Sequence, residues 1–351
     1  MPEQEKEKSI PSGLMLHSTL STLKEIIHGV AWSPDGSMLA VAYKNREVQV
    51  WDIDTGSIKQ QFQGERINYC VAWSPDGRTL VSGEKSFLFL WDIETGEKRS
   101  TLQIPGKKEQ ISQKINKSVA WSPNGQMLAS GSDDGLIRLW HPTTGRVICE
   151  LPGHSKGVNS ITWSPNGQTL ASSSDDQKIC LWNPATGELM GTLDGHFDNI
   201  DSIAWSPDGQ ILASASDDQK ICLWDVDEER LSATIEVHTK PIVCIAFCYD
   251  GLLLASKSLD GTVRLWQCET GEELAQIDEP ASGWRGRLAF HPHAPRLATL
   301  GGKDTIVRIW DLNIDSLFNT AQNCCHENIL LSPFFCPALL ANQNYRLSCS
   351  L

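Results

Sequence analysis

The chain has 351 residues, 40% of them hydrophobic and 21% charged, with a formal net charge of −13. Such an acidic balance excludes general nucleic-acid binding, which needs a basic face to displace phosphate counterions, and it favours solubility and basic partners. The nearest approach to a membrane segment, residues 329–341, is too short to span a bilayer and is broken by Pro333 and Pro337, so no membrane association is expected.

In chain order, residues 1–13 carry Glu3, Glu5, Lys6, Glu7 and Lys8 and lack the apolar stretch of a signal peptide. They are expected to form a disordered lead-in. Residues 16–20 stand before Trp32 at the spacing that Thr192 and Leu193 hold before Trp205, which predicts an outer strand. From there one phrase recurs seven times, an apolar run closed by Trp51, Trp91, Trp140, Trp182, Trp224, Trp266 and Trp310. The steps between these tryptophans are 40, 49, 42, 42, 42 and 44 residues, and segments 174–182 and 216–224 are identical. A period of about 40–45 residues closed by Trp is the value for one four-stranded propeller blade.

Each unit also carries an earlier phrase, typified by Trp32-Ser33-Pro34-Asp35-Gly36 and repeated around Trp73, Trp121, Trp163 and Trp205. It recurs more loosely at Phe247 and Phe290. Proline presets φ, the aspartate caps its own backbone and glycine leaves the turn without strain, so a hairpin is predicted there. A third phrase, Thr-Gly as at Thr55-Gly56 and Thr186-Gly187, predicts the turn into the outermost strand.

Two regions escape the repeat. Residues 105–117, with Lys107, Lys108, Lys114 and Lys117, lengthen the third unit, as either a partner-binding element or a tolerated insertion. Residues 313–351 have no repeat pattern, and their Cys324-Cys325-His326 and Cys336 lack the paired spacing of a zinc site. The eleven cysteines are scattered and odd in number, with Cys180 and Cys222 at one repeat position. A reducing, cytoplasmic compartment is expected.

On these residues the sequence resembles the WD-repeat β-propellers, in particular the regular arrays with Trp-Ser-Pro-Asp-Gly turns, over about residues 16–312. The resemblance implies an all-β fold, a seven-bladed propeller of four-stranded antiparallel blades spanning residues 14–312. Residues 14–20 are expected to close the ring as the outermost strand of the seventh blade, with segment 329–340 as the rival closing strand.

The family also implies a hydrogen-bonded tetrad in each blade. Three units match it fully: His154, Ser172, Asp176 and Trp182; His196, Ser214, Asp218 and Trp224; His238, Ser256, Asp260 and Trp266. Indole N–H only donates, a hydroxyl accepts and donates onward, and imidazole links hydroxyl to carboxylate, so the set can be fully satisfied. The third unit keeps Ser130, Asp134 and Trp140 but has Ser112 where histidine is expected. The first has Val41 and Asn45 for Ser and Asp, and the second has Lys85 for Asp. In the seventh, Asp304 and Trp310 remain while Thr299 is displaced by one residue. The first two blades are therefore expected to be the loosest.

The family's partner-binding face carries the loops before the innermost strands and the turns between the second and third strands. Positions expected there are Glu84, Asp133, Asp175, Asp217, Leu259 and Lys303, joined by Lys156, Asp198 and Lys240. Asp133, Asp175 and Asp217 come from successive blades and would form an acidic arc suited to a basic peptide or protein surface. There is no Gly-x-Ser-x-Gly elbow, His-Glu-x-x-His pair or phosphate loop; Gly301-Gly302-Lys303-Asp304 lacks the upstream glycine and the Ser or Thr. The expected role is a non-catalytic scaffold or adaptor, with no cofactor, no metal and no nucleic acid, acting as a monomeric propeller within a protein complex. The rival roles are a sensor or structural subunit of a multi-chain signalling assembly, and a propeller-borne enzyme.

Overall fold

The computed structural model describes residues 10–21, 25–105, 114–279, 287–301 and 305–324. Within them 28 strands, numbered β1 to β28 in chain order, form seven four-stranded antiparallel sheets. The architecture is the expected seven-bladed propeller.

The fifth blade shows how the repeat builds a sheet. It comprises β18 (Ile200–Trp205), β19 (Ile211–Ser216), β20 (Ile221–Asp225) and β21 (Arg230–Ile235), from the innermost outward. The hairpin after β18 is fixed by its own side chains. Ser206 Oγ donates to Asp208 Oδ1 at 2.5 Å, the same carboxylate accepts from Gln210 N–H, and Ser206 Oγ accepts from Ile211 N–H. Gly209 exits at φ +76°, a region that costs glycine no strain. The three inner strands are buried on both faces, because a blade packs against neighbours on either side, while β21 is largely exposed. Leu181 and Leu193 of the fourth blade, for example, pack with Ile203, Trp205 and Leu212 of the fifth.

Polar links run between blades as well. The N–H groups of Ile161, Ile203 and Ile245 donate to Ser118, Ser160 and Ser202 Oγ of the preceding blade. The indoles of Trp32, Trp73, Trp163 and Trp205 likewise donate to the carbonyls of Ala289, Ala31, Ala120 and Thr162 in the preceding blade of the ring. The Trp121 indole N–H is buried without such a partner.

Closure follows the expectation for residues 14–20. β1 (Leu14–Ser21) pairs antiparallel with β28 (Ile306–Leu312), from Leu14 opposite Leu312 to Ser21 opposite Ile306, and completes the seventh blade. The first and last described strands thus share one sheet, and the outer edge of β28 is covered. Leu20 is buried among first- and seventh-blade residues, including Ile27, Trp51, Val307 and Ile309. The rival closing segment, 329–340, lies outside the described residues.

The start of the non-repeat tail is a helix, α1 (Ile314–Cys324). Asn313 caps it, its Oδ1 accepting from Ser316 N–H, and its own N–H donates to Gly13 O at 2.8 Å. Leu317 is fully buried with Leu14, Leu274 and Leu312, so the helix seals the boundary between the sixth and seventh blades. Gly13 sits at φ +83°, where a Cβ would lie 2.8 Å from Leu317 Cγ.

One reading of the sequence is corrected by register. Thr299 is displaced by one residue in count, yet it pairs with Arg308 while Leu297 pairs with Trp310. Ser172 pairs with Cys180 and Leu170 with Trp182 in the same way. The extra residue therefore falls in the turn, and Thr299 holds the regular place in the sheet.

Candidate functional site

The middle of the ring supplies the best-ordered polar sites. In the fourth blade the Trp182 indole donates to Ser172 Oγ at 2.8 Å, Ser172 meets His154 Nε2 at 2.8 Å, and His154 Nδ1 meets Asp176 Oδ2 at 3.0 Å. Asp176 also accepts from Ser155 N–H, which anchors the loop before the innermost strand. The fifth blade repeats this with Trp224, Ser214, His196 and Asp218, the last contact being 2.8 Å. The sixth repeats it with Trp266, Ser256, His238 and Asp260, again at 2.8 Å.

With each imidazole neutral, every donor in these sets has an acceptor. Burial holds His154 and His238 below the usual imidazole range. Burial alone would raise Asp176, Asp218 and Asp260, but the histidines and neighbouring donors bring all three below the ordinary carboxylate value.

The other blades replace parts of this device. In the third, Trp140 donates to Ser130, and Asp134 is held down at about 2 by Arg138 and Lys114 against the effect of burial. Ser112 lies outside the described residues. In the seventh, Trp310 donates to Thr299, Thr299 donates to Glu279 at 2.8 Å, and Glu279 pairs with Arg308. A buried glutamate thus stands in for the histidine, a substitution that repeat counting missed; Asp304 lies outside the described residues. In the second, Trp91 still donates to Ser82. In the first, Val41 offers no oxygen, and the Trp51 indole N–H is buried without a partner.

The positions expected on the partner-binding face divide into three kinds. Lys156, Asp198 and Lys240 are exposed. Asp133, Asp175, Asp217 and Leu259 are half-buried, and the three carboxylates also serve the fold. Asp175 accepts from Asn159 Nδ2 at 2.6 Å and pairs with Lys117 at 3.2 Å, Asp217 accepts from Asn199 Nδ2, and Asp133 accepts from Ile115 N–H. Lys303 lies outside the described residues.

Glu84 departs from the expectation of a surface position. It is 0% exposed, and its carboxylate accepts from Glu65 N–H at 3.0 Å and Arg66 N–H at 2.8 Å. Because Lys85 occupies the turn position of Asp176, the preceding residue has taken over the anchoring of the loop. Burial pushes Glu84 up to about 7.

Among the described residues no cluster of three His, Cys, Asp or Glu side chains is arranged to hold a metal, and no helix is long and apolar enough to cross a membrane. A family model described as the IFT122 first beta-propeller matches residues 115–330, and one described as the WDR19 first beta-propeller matches residues 28–193. The chain belongs to the IFT122 first β-propeller family, within the WD-repeat β-propellers. The IFT122-type match runs from the third blade into the tail and includes all three complete tetrads, so the best-kept polar sets lie inside the family match.

Proposed function

We propose that this IFT122-type propeller is a non-catalytic scaffold or adaptor, a monomeric ring within a protein complex. It would hold partner proteins or peptides against the face that carries Lys156, Asp198 and Lys240. The observation that carries the reading is the use made of the polar residues. Ser172, Ser214 and Ser256 each sit beside a His-Asp pair, which in an open cleft would suggest an activated nucleophile. All three are 0% exposed, and each hydroxyl is held between an indole and an imidazole, so they tie a blade together and meet no substrate.

What remains for partners is the loop face itself. Asp133, Asp175 and Asp217, from successive blades, favour a basic peptide or protein surface, with exposed Asp198 and half-buried Leu259 as further contact positions. Cys180 and Cys222 are free thiols packed as small core residues, which fits a reducing, cytoplasmic setting.

Affinity capture with the full chain, at low and high salt, tests this reading. Asp175→Lys with Asp217→Lys is expected to weaken recovery of partners, and wild-type capture should fall as salt rises. Equal, salt-independent recovery by both proteins, with thermal midpoints matched, would reduce the arc to a solvated rim.

A further inference from the structure

Over the first and second blades the same face changes sign. Arg46 lies in the turn between β3 (Met38–Tyr43) and β4 (Glu47–Asp52), Arg66 in the loop before β6 (Cys70–Trp73), and Lys85 in the turn between β7 (Thr79–Gly83) and β8 (Phe87–Asp92). With Glu65, Ile67 and Tyr69 they line one cavity of about 230 Å³. Arg46 and Arg66 are exposed and Lys85 is half-buried, and none of the three side chains has an ion-pair partner among the described residues. The one carboxylate in the wall, Glu65, is already paired with Lys98 at 3.5 Å.

The departures from the repeat build this site. Asn45 and Lys85 occupy the turn positions where the middle blades carry Asp176, Asp218 and Asp260, so a neutral and a cationic side chain stand where those blades hold carboxylates. The carboxylate that replaces them in anchoring the loop, Glu84, is buried beneath it and binds the backbone of Glu65 and Arg66. Tyr69 projects from the innermost strand region and stacks on His28 with centroids 5.7 Å apart, adding a hydroxyl donor on a fixed ring. In a chain of net charge −13, a concave group of three cations facing one carboxylate is a local reversal.

We infer that this cavity docks a phosphorylated serine or threonine of a partner protein. Counting Lys98 with its partner Glu65 and the buried Glu84 as ionised, four cations against two carboxylates leave an excess of about two positive charges, which matches a phosphoryl group carrying roughly −1.5 to −2 at neutral pH better than a single carboxylate. Guanidinium groups can grip phosphoryl oxygens bidentately, and a lysine adds a point charge. The volume is below the roughly 300–1,000 Å³ of sites that enclose a whole small molecule, and it suits one group carried in on a chain. The inference rests on the scaffold reading and adds to it a second sector with its own ligand chemistry.

The probe is a fluorescein-labelled peptide with a single phosphoserine in a Gly/Ser background, titrated with the full chain and read by anisotropy. The unphosphorylated peptide and its Glu analogue are the controls, and inorganic phosphate is the competitor. The phosphopeptide should bind at least about tenfold more tightly than either control. Arg66→Gln with Lys85→Gln should weaken it by a similar factor at an unchanged thermal midpoint, and Arg46→Gln alone should act in the same direction if the double variant is unstable. Asp175→Lys with Asp217→Lys should not weaken it.

Binding that ignores the phosphate or the cation variants overturns the inference. Competition by inorganic phosphate at the same concentration as the phosphopeptide also overturns it, because the site would then take a free anion. A lysine-rich peptide titrated in parallel reads the acidic sector, so loss of that signal alone speaks against the acidic arc and leaves the phosphopeptide result standing.

Discussion

The fourth, fifth and sixth blades and the first two are built from the same four strands, yet their turns use charge in opposite ways. In the middle blades each turn aspartate binds a histidine and a loop N–H, so Asp176, Asp218 and Asp260 are tied into buried sets. In the first blade the set has dissolved to an unpartnered Trp51 indole, and in the second it has been rebuilt around buried Glu84. Where the carboxylate is tied into the tetrad, it anchors the loop before the innermost strand. Where it is lost, cations line the cavity of the first two blades, and the first blade carries a different buried polar set, with Tyr43 donating to Gln49 Oε1 and Gln49 Nε2 to Glu47, beside apolar packing that includes Phe62, Phe89 and Trp91.

Closure is the one device both regions depend on, and breaking it should have the largest effect. Deleting residues 1–22 removes β1 and exposes β28 as an open edge, and it should lower the stability of the whole ring by roughly 4 kcal/mol or more, beyond the range of ordinary substitutions. Chemical denaturation followed by tryptophan fluorescence measures this, and a mild effect confined to the seventh blade would contradict it. Next in size, His196→Ala should cost about 1–3 kcal/mol by leaving Ser214 and Asp218 unsatisfied. A thermal midpoint equal to the wild type would remove the tetrad from the account.

The two regions should also answer pH with opposite signs. Asp176, Asp218 and Asp260 lie below their ordinary value, so the stability they add is present above it and is lost as pH falls through their lower folded values. Glu84 is raised from 4.5 to about 7, so its contribution is fully present below 4.5 and is lost as pH rises through about 7. Hydrogen exchange corrected for intrinsic rates should therefore quicken in the second blade over that window while the middle blades stay protected. Glu84→Gln should flatten the response, and an unchanged slope would show that the buried carboxylate does not control it. The smallest contrast concerns the indoles: Trp163→Phe should cost about 1 kcal/mol more than Trp121→Phe, because only the former loses a hydrogen bond. Equal midpoint shifts for the two variants would contradict that difference.

The blade plan was legible because it is written in residues with strong local rules. Trp at a fixed step, the Ser-Pro-Asp-Gly turn and the strand spacing of residues 16–20 each specify geometry within a few residues, and together they gave seven blades and the closing strand. The exceptions were hidden because they depend on register and reach. Thr299 looked misplaced by counting, since only strand pairing shows that the extra residue is in the turn. Glu84 looked like a rim residue, since only the fold brings the N–H groups of Glu65 and Arg66 over its carboxylate. Glu279 stands in for a histidine through contacts to Thr299 and Arg308, which lie far along the chain. The helix after Asn313 carries no repeat signal, and its place is fixed by Leu317 meeting Leu14 and Leu274.

Exchange mapping of the full chain, alone and with a captured partner bound, puts the scaffold claim to its most direct test. Protection should gather on the loops around Lys156, Asp198 and Lys240 and on the adjoining second-to-third strand turns, with the buried tetrads unchanged. Protection confined to the Ser-Pro turns of the opposite face, or no protection at all under saturating partner, would contradict it.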